Sequence, residues 1–298
     1  MKKNILILTS DPDSINYEII KKSLFFFKKK TKNNYIFIGH RNKILNNYLK
    51  KKKLNFINVK KKNNTKAYLK NCFEEAFQLL LKKKAHGLIN LPLNKKNLPK
   101  KYFGFTEYIS DYFNKKGMTT MLMYCDNFSV CPITTHIPIK KIHLQFNKFS
   151  ILKNIKNINN FYKKFIGLKK PTIALMGFNP HNGIDFSYQT EEKRIIIPAI
   201  QYLRKKGINV LGPLSPDYAF NAIVPKNINA LVGNYHDQVL PTFKYINKYK
   251  GINITLGLPF LRVSVDHGTG KDIKNKNKAN PESFLYALDF FEKNFKKI

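Results

Sequence analysis

Short apolar runs alternate with amphipathic stretches from one end of the chain to the other, with no internal repeat and no Pro/Gly/Ser-rich linker. Asn4–Leu8 reads as a buried strand, and the apolar positions of Ile15–Phe27 recur at helical spacing. Tyr35–Ile38 and Leu54–Val59 predict further strands. The clearest helix is Thr65–Lys83, where Ala67, Leu69, Phe73, Ala76, Phe77 and Leu80 fall on one face and Thr65 is a candidate N-cap. Gly87–Leu91, Thr172–Phe178 and Ala230–Tyr235 predict strands, and Glu191–Lys206 and Pro281–Asn294 predict helices. Tyr124–Thr135 and Gly251–Val265 are less regular and are candidates for antiparallel pairing. Strands separated by helices imply an α/β fold, with a largely parallel sheet covered on both faces. At 298 residues, one large or two intimately joined α/β domains are expected.

Composition narrows the setting. A hydrophobic content of 43% is enough for a substantial core. No run approaches the ~20 apolar residues that a membrane helix needs, so no membrane partner is expected. The ILIL run after Lys2 and Lys3 is too short for a signal peptide, and no small-residue cleavage site follows it. Cys72, Cys125 and Cys131 form no CxxC pair and are odd in number, which fits a reduced, cytoplasmic protein.

The net charge of +36 raises the possibility of nucleic-acid binding. Only Arg41, Arg194, Arg204 and Arg262 are arginines, however, and base reading favours the bidentate arginine fork. The lysines fall in scattered runs such as Lys28–Lys30, Lys50–Lys53, Lys60–Lys62 and Lys82–Lys84. That distribution is a general compositional drift, and no nucleic-acid partner is expected. The positive field would still attract a phosphorylated small molecule or a dinucleotide.

In open α/β sheets, ligands gather at the carboxyl ends of strands. Four of the seven histidines follow apolar strand-like runs directly: His136 in CPITTH, His181 in LMGFNPH, His236 in LVGNYH and His267 in VSVDH. His40 follows its strand less tightly, and His86 and His143 lie in lysine-rich surroundings. A lone histidine is usually a surface or satisfied core residue, but several at equivalent strand ends can converge in one cleft. No HExxH or other local metal motif is present, so spacing alone assigns nothing.

The segments around these histidines carry a resemblance. TTHIPIK (Thr134–Lys140), GFNPHNG (Gly177–Gly183), NYHDQVLPTFKY (Asn234–Tyr245) and NITLGLPFLRVSVDHGT (Asn253–Thr269) are similar, in order and spacing, to the signature segments of the 4-hydroxythreonine-4-phosphate dehydrogenase family. LPLNK (Leu91–Lys95), FTEYIS (Phe105–Ser110) and GPLSPDYAF (Gly212–Phe220) resemble weaker segments of that family. The resemblance implies an isocitrate/isopropylmalate dehydrogenase-like fold of two α/β domains sharing an interdomain cleft. Residues 1–105 with 246–298 would form the first domain, and 106–245 the second, carrying metal ligands and dimer contacts. It implies a homodimer whose active site lies at the interface, with His136, His181 and His236, drawn from both subunits, holding a divalent metal. Neutral imidazoles suit Zn²⁺, and Mg²⁺, Co²⁺ or Mn²⁺ would also serve. Thr106, Lys244, Asn253 and Arg262 match substrate-binding positions. His267, Gly268 and Asn280 match an HGS-type start and a later ANP of a cofactor loop for NAD or NADP.

The implied reaction is oxidation of 4-phosphohydroxy-L-threonine with NAD⁺ or NADP⁺ and decarboxylation to 3-amino-2-oxopropyl phosphate, a step towards pyridoxal 5′-phosphate. Arg262 sits inside an apolar segment, where an unpaired guanidinium is costly; a phosphate or carboxylate, or a buried aspartate such as Asp266, would satisfy it. Asp237 is a candidate base or orienter of His236, or equally an N-cap.

Three departures stand out. The family's GDPAGIGPE becomes SDPDSINYE, with Ser10, Ser14 and Asn16 in place of glycines. Where those glycines allowed positive φ or close approach, each replacement is expected to cost about 1 kcal/mol or to reshape the loop. Phe105 replaces a histidine before Thr106. The cofactor-type loop loses glycines to lysine and asparagine at Lys274–Lys278, where added charge either meets a cofactor phosphate or is solvated. Two other readings remain: a sister dehydrogenase for D-threonate or D-erythronate 4-phosphate, and a catalytically decayed binding protein.

Overall fold

The computed structural model describes residues 2–9, 11–28, 31–40, 54–60, 64–102 and 104–295. Ser10, Arg41 and the lysines at 29–30, 50–53 and 61–62 lie outside them. In chain order the strands are β1 (Asn4–Leu8), β2 (Asn34–Gly39), β3 (Asn55–Asn58), β4 (Gly87–Asn90), β5 (Thr120–Tyr124), β6 (Ser129–Thr134), β7 (Ile173–Met176), β8 (Val210–Leu214), β9 (Ala230–Tyr235), β10 (Ile252–Leu256) and β11 (Leu261–Val265). The helices are α1 (Asn16–Ser23), α2 (Thr65–Leu81), α3 (Phe105–Tyr112), α4 (Ile142–Gln145), α5 (Lys148–Phe161), α6 (Ile197–Lys205), α7 (His236–Asn247) and α8 (Glu282–Asn294).

The chain divides into two compact units. Among the described residues, one comprises those of 2–116, 249–254 and 258–295, the other Gly117–Lys248 and Thr255–Gly257. In the first, the strand order is β3-β2-β1-β4-β11-β10, with parallel pairing from β3 through β11. Strands buried on both faces read as continuous apolar runs, and Ile5–Leu8 is fully buried. Helix α2 packs Tyr68, Leu69, Cys72, Phe73, Ala76 and Phe77 into this core. Its cap is Asn64, whose side chain accepts from the Lys66 and Ala67 N–H, so the expected Thr65 cap moves back by one residue. Gly87 must stay small: a Cβ there would lie 2.6 Å from the Phe291 ring of α8.

In the second unit the order is β5-β6-β9-β7-β8. Strands β5 and β6 pair antiparallel, as the irregular Tyr124–Thr135 segment suggests, with Met123 opposite Val130. Strand β9 pairs in parallel with β6 and β7. The helix expected over Glu191–Lys206 begins with a π-helical turn, Glu192–Ile196, and continues as α6.

All three cysteines are free and buried. Burial pushes the thiols of Cys72 and Cys131 up to about 12 and also raises that of Cys125. The thiolate is the reactive form, so iodoacetamide at pH 8 should alkylate the native chain at least about 100-fold more slowly than a free thiol. All three sites should label after denaturation, read by mass spectrometry. Rapid labelling of any cysteine in the folded chain would contradict this packing.

Candidate active-site residues

Parallel pairing of β6 with β9 sets Thr134 opposite Tyr235, and the Thr134 hydroxyl donates to Asn234 O at 2.8 Å. His136 follows the end of β6 by two residues, and His236 begins α7 directly after β9. Their ring centroids are 5.5 Å apart with the planes at 50°. The His236 Nδ1 lies 2.9 Å from Asp237 Oδ1. An ionised carboxylate only accepts, so Nδ1 is the donor, and in the neutral imidazole Nε2 is then the nitrogen with a lone pair for a ligand. Asp237 is therefore placed to orient His236. The N-cap position of α7 belongs to Tyr235, so the capping alternative for Asp237 is not adopted.

His181 stands on a different loop, after β7. Its Nδ1 lies 2.8 Å from Asp185 Oδ2, the same carboxylate-imidazole pattern, and that bond raises its pKa above the ordinary value. The loop is unusual in its backbone. His181, Asn182 and Gly183 have φ of 48°, 60° and 68°, three consecutive left-handed residues. For His181 this costs roughly 1–2 kcal/mol, and less for Asn182. Two residues of the NYHDQ segment grip the start of the loop: Asn234 Nδ2 donates to Gly177 O at 2.7 Å, and Gln238 Nε2 to the same oxygen at 2.9 Å. Among the described residues, no three His, Cys, Asp or Glu side chains converge to hold a metal within one chain. One chain thus brings His136 and His236 together and leaves His181 apart from them. Lys244 is exposed on α7, about two turns beyond His236.

In the first unit, Arg262 of β11 is buried, 3% exposed. Its Nε donates to Asn90 Oδ1 at 2.6 Å and its Nη1 to Thr106 Oγ1 at 3.1 Å. Burial pushes the guanidinium down to about 10, opposed by the Glu107 charge. Phe105 lies with its ring centroid 5.4 Å from the guanidinium carbon and also packs on Phe73. The residue that departs from the family pattern thus serves as an apolar and cation–π platform for the arginine. A pocket of about 160 Å³ opens beside this group, lined by Asn90, Lys95, Phe105, Ser264 and His267 among others. On β10, the Asn253 Oδ1 is buried with no hydrogen-bond partner among the described residues. Sequence reasoning missed Asn90 and Gln238; both lie inside or directly beside quoted segments, but only the fold reveals their targets.

The N-terminal loop does not meet the positive-φ condition for a penalty at Ser14 and Asn16. Both side chains bond. Ser14 Oγ donates to Asp11 O at 2.6 Å, while Asn16 Nδ2 donates to Thr9 O at 2.9 Å and Pro92 O at 3.0 Å. The buried Asp11 carboxylate accepts from the N–H of Asp13 at 3.0 Å and of Asn94 at 2.8 Å. These replacements knit the loop to the Leu91–Lys95 segment instead of straining it. In the cofactor-type loop, Asn275 and Asn277 adopt φ of 63° and 56°, conformations that asparagine tolerates better than most residues. Lys274 bonds Asp13 at 3.0 Å, and Lys271 pairs with the same carboxylate. Lys22 Nζ donates to Asn277 O and Ala279 O, each at 2.8 Å. The loop's charge is therefore partly used internally. His267 Nδ1 donates to Gly268 O at 3.0 Å, and Asn280 Oδ1 accepts from Glu282 N at 2.8 Å at the start of α8.

Comparison with known proteins places the fold and the family. The β-decarboxylating dehydrogenase of Thermococcus kodakarensis shares the fold at 10% identity and TM-score 0.52, covering 97% of this chain and 83% of its own. The 4-hydroxythreonine-4-phosphate dehydrogenase of Klebsiella pneumoniae superposes with TM-score 0.79 at 27% identity, covering 97% and 98%. The chain thus has the fold of the α/β dehydrogenases. Residues 5–291 match the model described as "Pyridoxal phosphate biosynthetic protein PdxA", and the chain belongs to that family. A 4-hydroxythreonine-4-phosphate dehydrogenase of Aquifex aeolicus (strain VF5) is 35% identical over 100% of both chains. One from Sulfurihydrogenibium sp. (strain YO3AOP1) is 42% identical over 72% of this chain and 67% of its own. A D-threonate 4-phosphate dehydrogenase of Pectobacterium atrosepticum is 34% identical over 73% and 67%.

Replacing Asn16 by the family's glycine removes two buried hydrogen bonds, each worth about 1 kcal/mol net, and frees the backbone. Asn16→Gly should lower unfolding free energy by about 2 kcal/mol in urea titrations. An unchanged or higher midpoint would show that the asparagine merely tolerates its site.

Proposed function

We propose that the chain oxidises 4-phosphohydroxy-L-threonine with NAD⁺ or NADP⁺ and decarboxylates the product to 3-amino-2-oxopropyl phosphate, a step of pyridoxal 5′-phosphate biosynthesis. The observation that carries this reading is the His136–His236 pair at the ends of two adjacent parallel strands, with His236 oriented by the Asp237 carboxylate. Two imidazoles from one chain fit a divalent-metal site that takes His181 from a partner subunit. The exposed apolar side chains of Ile139, Leu144, Ile184, Val224 and Tyr245, each at least 67% exposed, support a homodimer that would cover them. Zn²⁺ suits the imidazole donors best, with Mg²⁺, Co²⁺ or Mn²⁺ as alternatives.

When bound, the metal supplies Lewis-acid stabilisation of charge on the substrate oxygen, and the nicotinamide accepts hydride. The chain's own residues bind and orient. Arg262, steadied by Asn90, Thr106 and Phe105, offers a desolvated cation to the phosphoryl or carboxylate group. Lys244 adds a second, exposed cation. The unsatisfied Asn253 Oδ1 is an acceptor waiting for a substrate donor. Asp237 keeps the Nδ1 proton of His236 in place, so its role is orientation. His267, Gly268 and Asn280 belong to the loop assigned to the dinucleotide. The space over the Gly268 α-carbon is open to 4 Å, which suits close approach of a flat ligand. Oxidation yields a β-keto acid, from which carbon dioxide leaves readily.

Purified protein with 4-phosphohydroxy-L-threonine, NAD⁺ or NADP⁺ and a divalent metal should form reduced dinucleotide, measured by absorbance. His236→Ala should lose more than about 100-fold in turnover while staying folded. Undiminished turnover in that variant would remove the metal assignment. The similarity to a D-threonate 4-phosphate dehydrogenase favours a second reading. A higher kcat/KM with D-threonate or D-erythronate 4-phosphate would select it.

Arg262→Lys loses the planar fork that reaches both Asn90 and Thr106. KM for the phosphorylated substrate should rise about 10- to 100-fold, equivalent to ~1.4–2.8 kcal/mol, with KM for dinucleotide little changed. An unaltered substrate KM would exclude Arg262 from anion binding.

A further inference from the structure

Beneath the His181 loop lies a carboxylate for which the reaction just described has no use. Glu192, in the π-helical turn before α6, is only 1% exposed. Its Oε1 accepts from the backbone N–H of Phe178 and of Asn179, each at 2.7 Å, and its Oε2 accepts from Asn179 Nδ2 at 3.0 Å. Glu191 takes a share of the same amide, with Asn179 Nδ2 donating to its Oε2 at 2.9 Å. These donors sit at the entry to the run of left-handed residues from His181 to Gly183. At the exit, a Cβ added to Gly183 would lie 2.8 Å from Glu192 Oε2 and 2.7 Å from the Thr190 methyl group. One buried carboxylate therefore touches the loop on both sides of His181. A strained run persists only where its surroundings over-determine it; Asn182 Nδ2 donates to Pro213 O at 3.3 Å, and the charged contacts beneath the loop come from Glu192. Charged acceptors form the stronger class of hydrogen bond, and Glu192 makes three.

We propose that Glu192 is a positioning residue for metal binding, holding the Asn179–Gly183 loop in the conformation that presents His181. This rests on the reading of His181 as a metal ligand. The full-length protein, freed of metal, would be titrated with Co²⁺ while its visible d–d absorption is followed, beside wild type, Glu192→Gln, Gly183→Ala and the control Glu191→Gln. Circular dichroism would monitor folding. Glu192→Gln should bind Co²⁺ at least 10-fold more weakly and with a shifted band while its helical signal is retained. Gly183→Ala, which drives a methyl group onto the same carboxylate from the loop side, should reproduce the defect. Glu191→Gln should stay within about 3-fold of wild type, because Glu192 retains the backbone donors.

A folded Glu192→Gln with wild-type affinity and spectrum overturns the proposal. Should that variant not fold, wild-type Co²⁺ binding by Gly183→Ala overturns it. Wild-type protein that binds no Co²⁺ removes the metal reading itself. Weak binding confined to Glu192→Gln and Gly183→Ala supports Glu192, and equal weakening in Glu191→Gln overturns its particular role.

Discussion

The parallel pairing of β6 with β9 is the constraint on which the candidate metal pair depends. Side-chain direction alternates along a strand, so a slip of one residue would turn every inward residue outward. With Thr134 set opposite Tyr235, the chain beyond each strand end starts from the same level of the sheet. His136 and His236 then come within 5.5 Å although 100 residues separate them in sequence. The bond from Thr134 to Asn234 O locks that register at its last rung. Asn234 in turn spends its amide on Gly177, so the strand that delivers His236 also anchors the loop that carries His181. A displacement at one strand end would therefore reach both histidine segments.

Much of this was legible beforehand, for identifiable reasons. Strand β1 and helix α2 follow from unbroken apolar runs and from 3.6-residue spacing, which are properties of the local sequence. Four histidines at strand ends were visible because a strand that is buried along its length must surface at its tip. The partners of the side chains were not visible. Asn90 looks like the polar end of a strand until the fold brings it within 2.6 Å of Arg262, 172 residues away. Glu192 looks like the first turn of a helix until a π-helical turn points it under a loop. Such pairings are long-range, and no periodicity encodes them.

The departures from the family pattern show how glycine can be replaced. A glycine needed for conformation can give way to asparagine, as at Asn275 and Asn277, whose left-handed φ carries less penalty than for other side chains. A position without positive φ can accept a side chain and use it, as Asn16 does by bonding two carbonyls. Gly87 belongs to neither case, and Gly183 adds a close contact to its left-handed φ. Their missing Cβ atoms are filled by the Phe291 ring and by the Glu192 carboxylate, so they remain glycine.

Charge follows the same logic. The chain has 54 basic residues and only 18 acidic ones, so each carboxylate has many possible partners on the surface. Exposed pairs contribute little, and several of the acids instead satisfy backbone N–H groups or imidazoles. Asp11 takes two backbone donors in the N-terminal loop, Glu192 two more under the His181 loop, and Asp185 and Asp237 each take an imidazole Nδ1. Lysine cannot perform any of these roles, because an ammonium group has no acceptor. A drift towards lysine can therefore spread across solvent-facing positions, where a charge is hydrated whatever its sign. It stops where a loop needs an acceptor, and those are the positions that shape the candidate site.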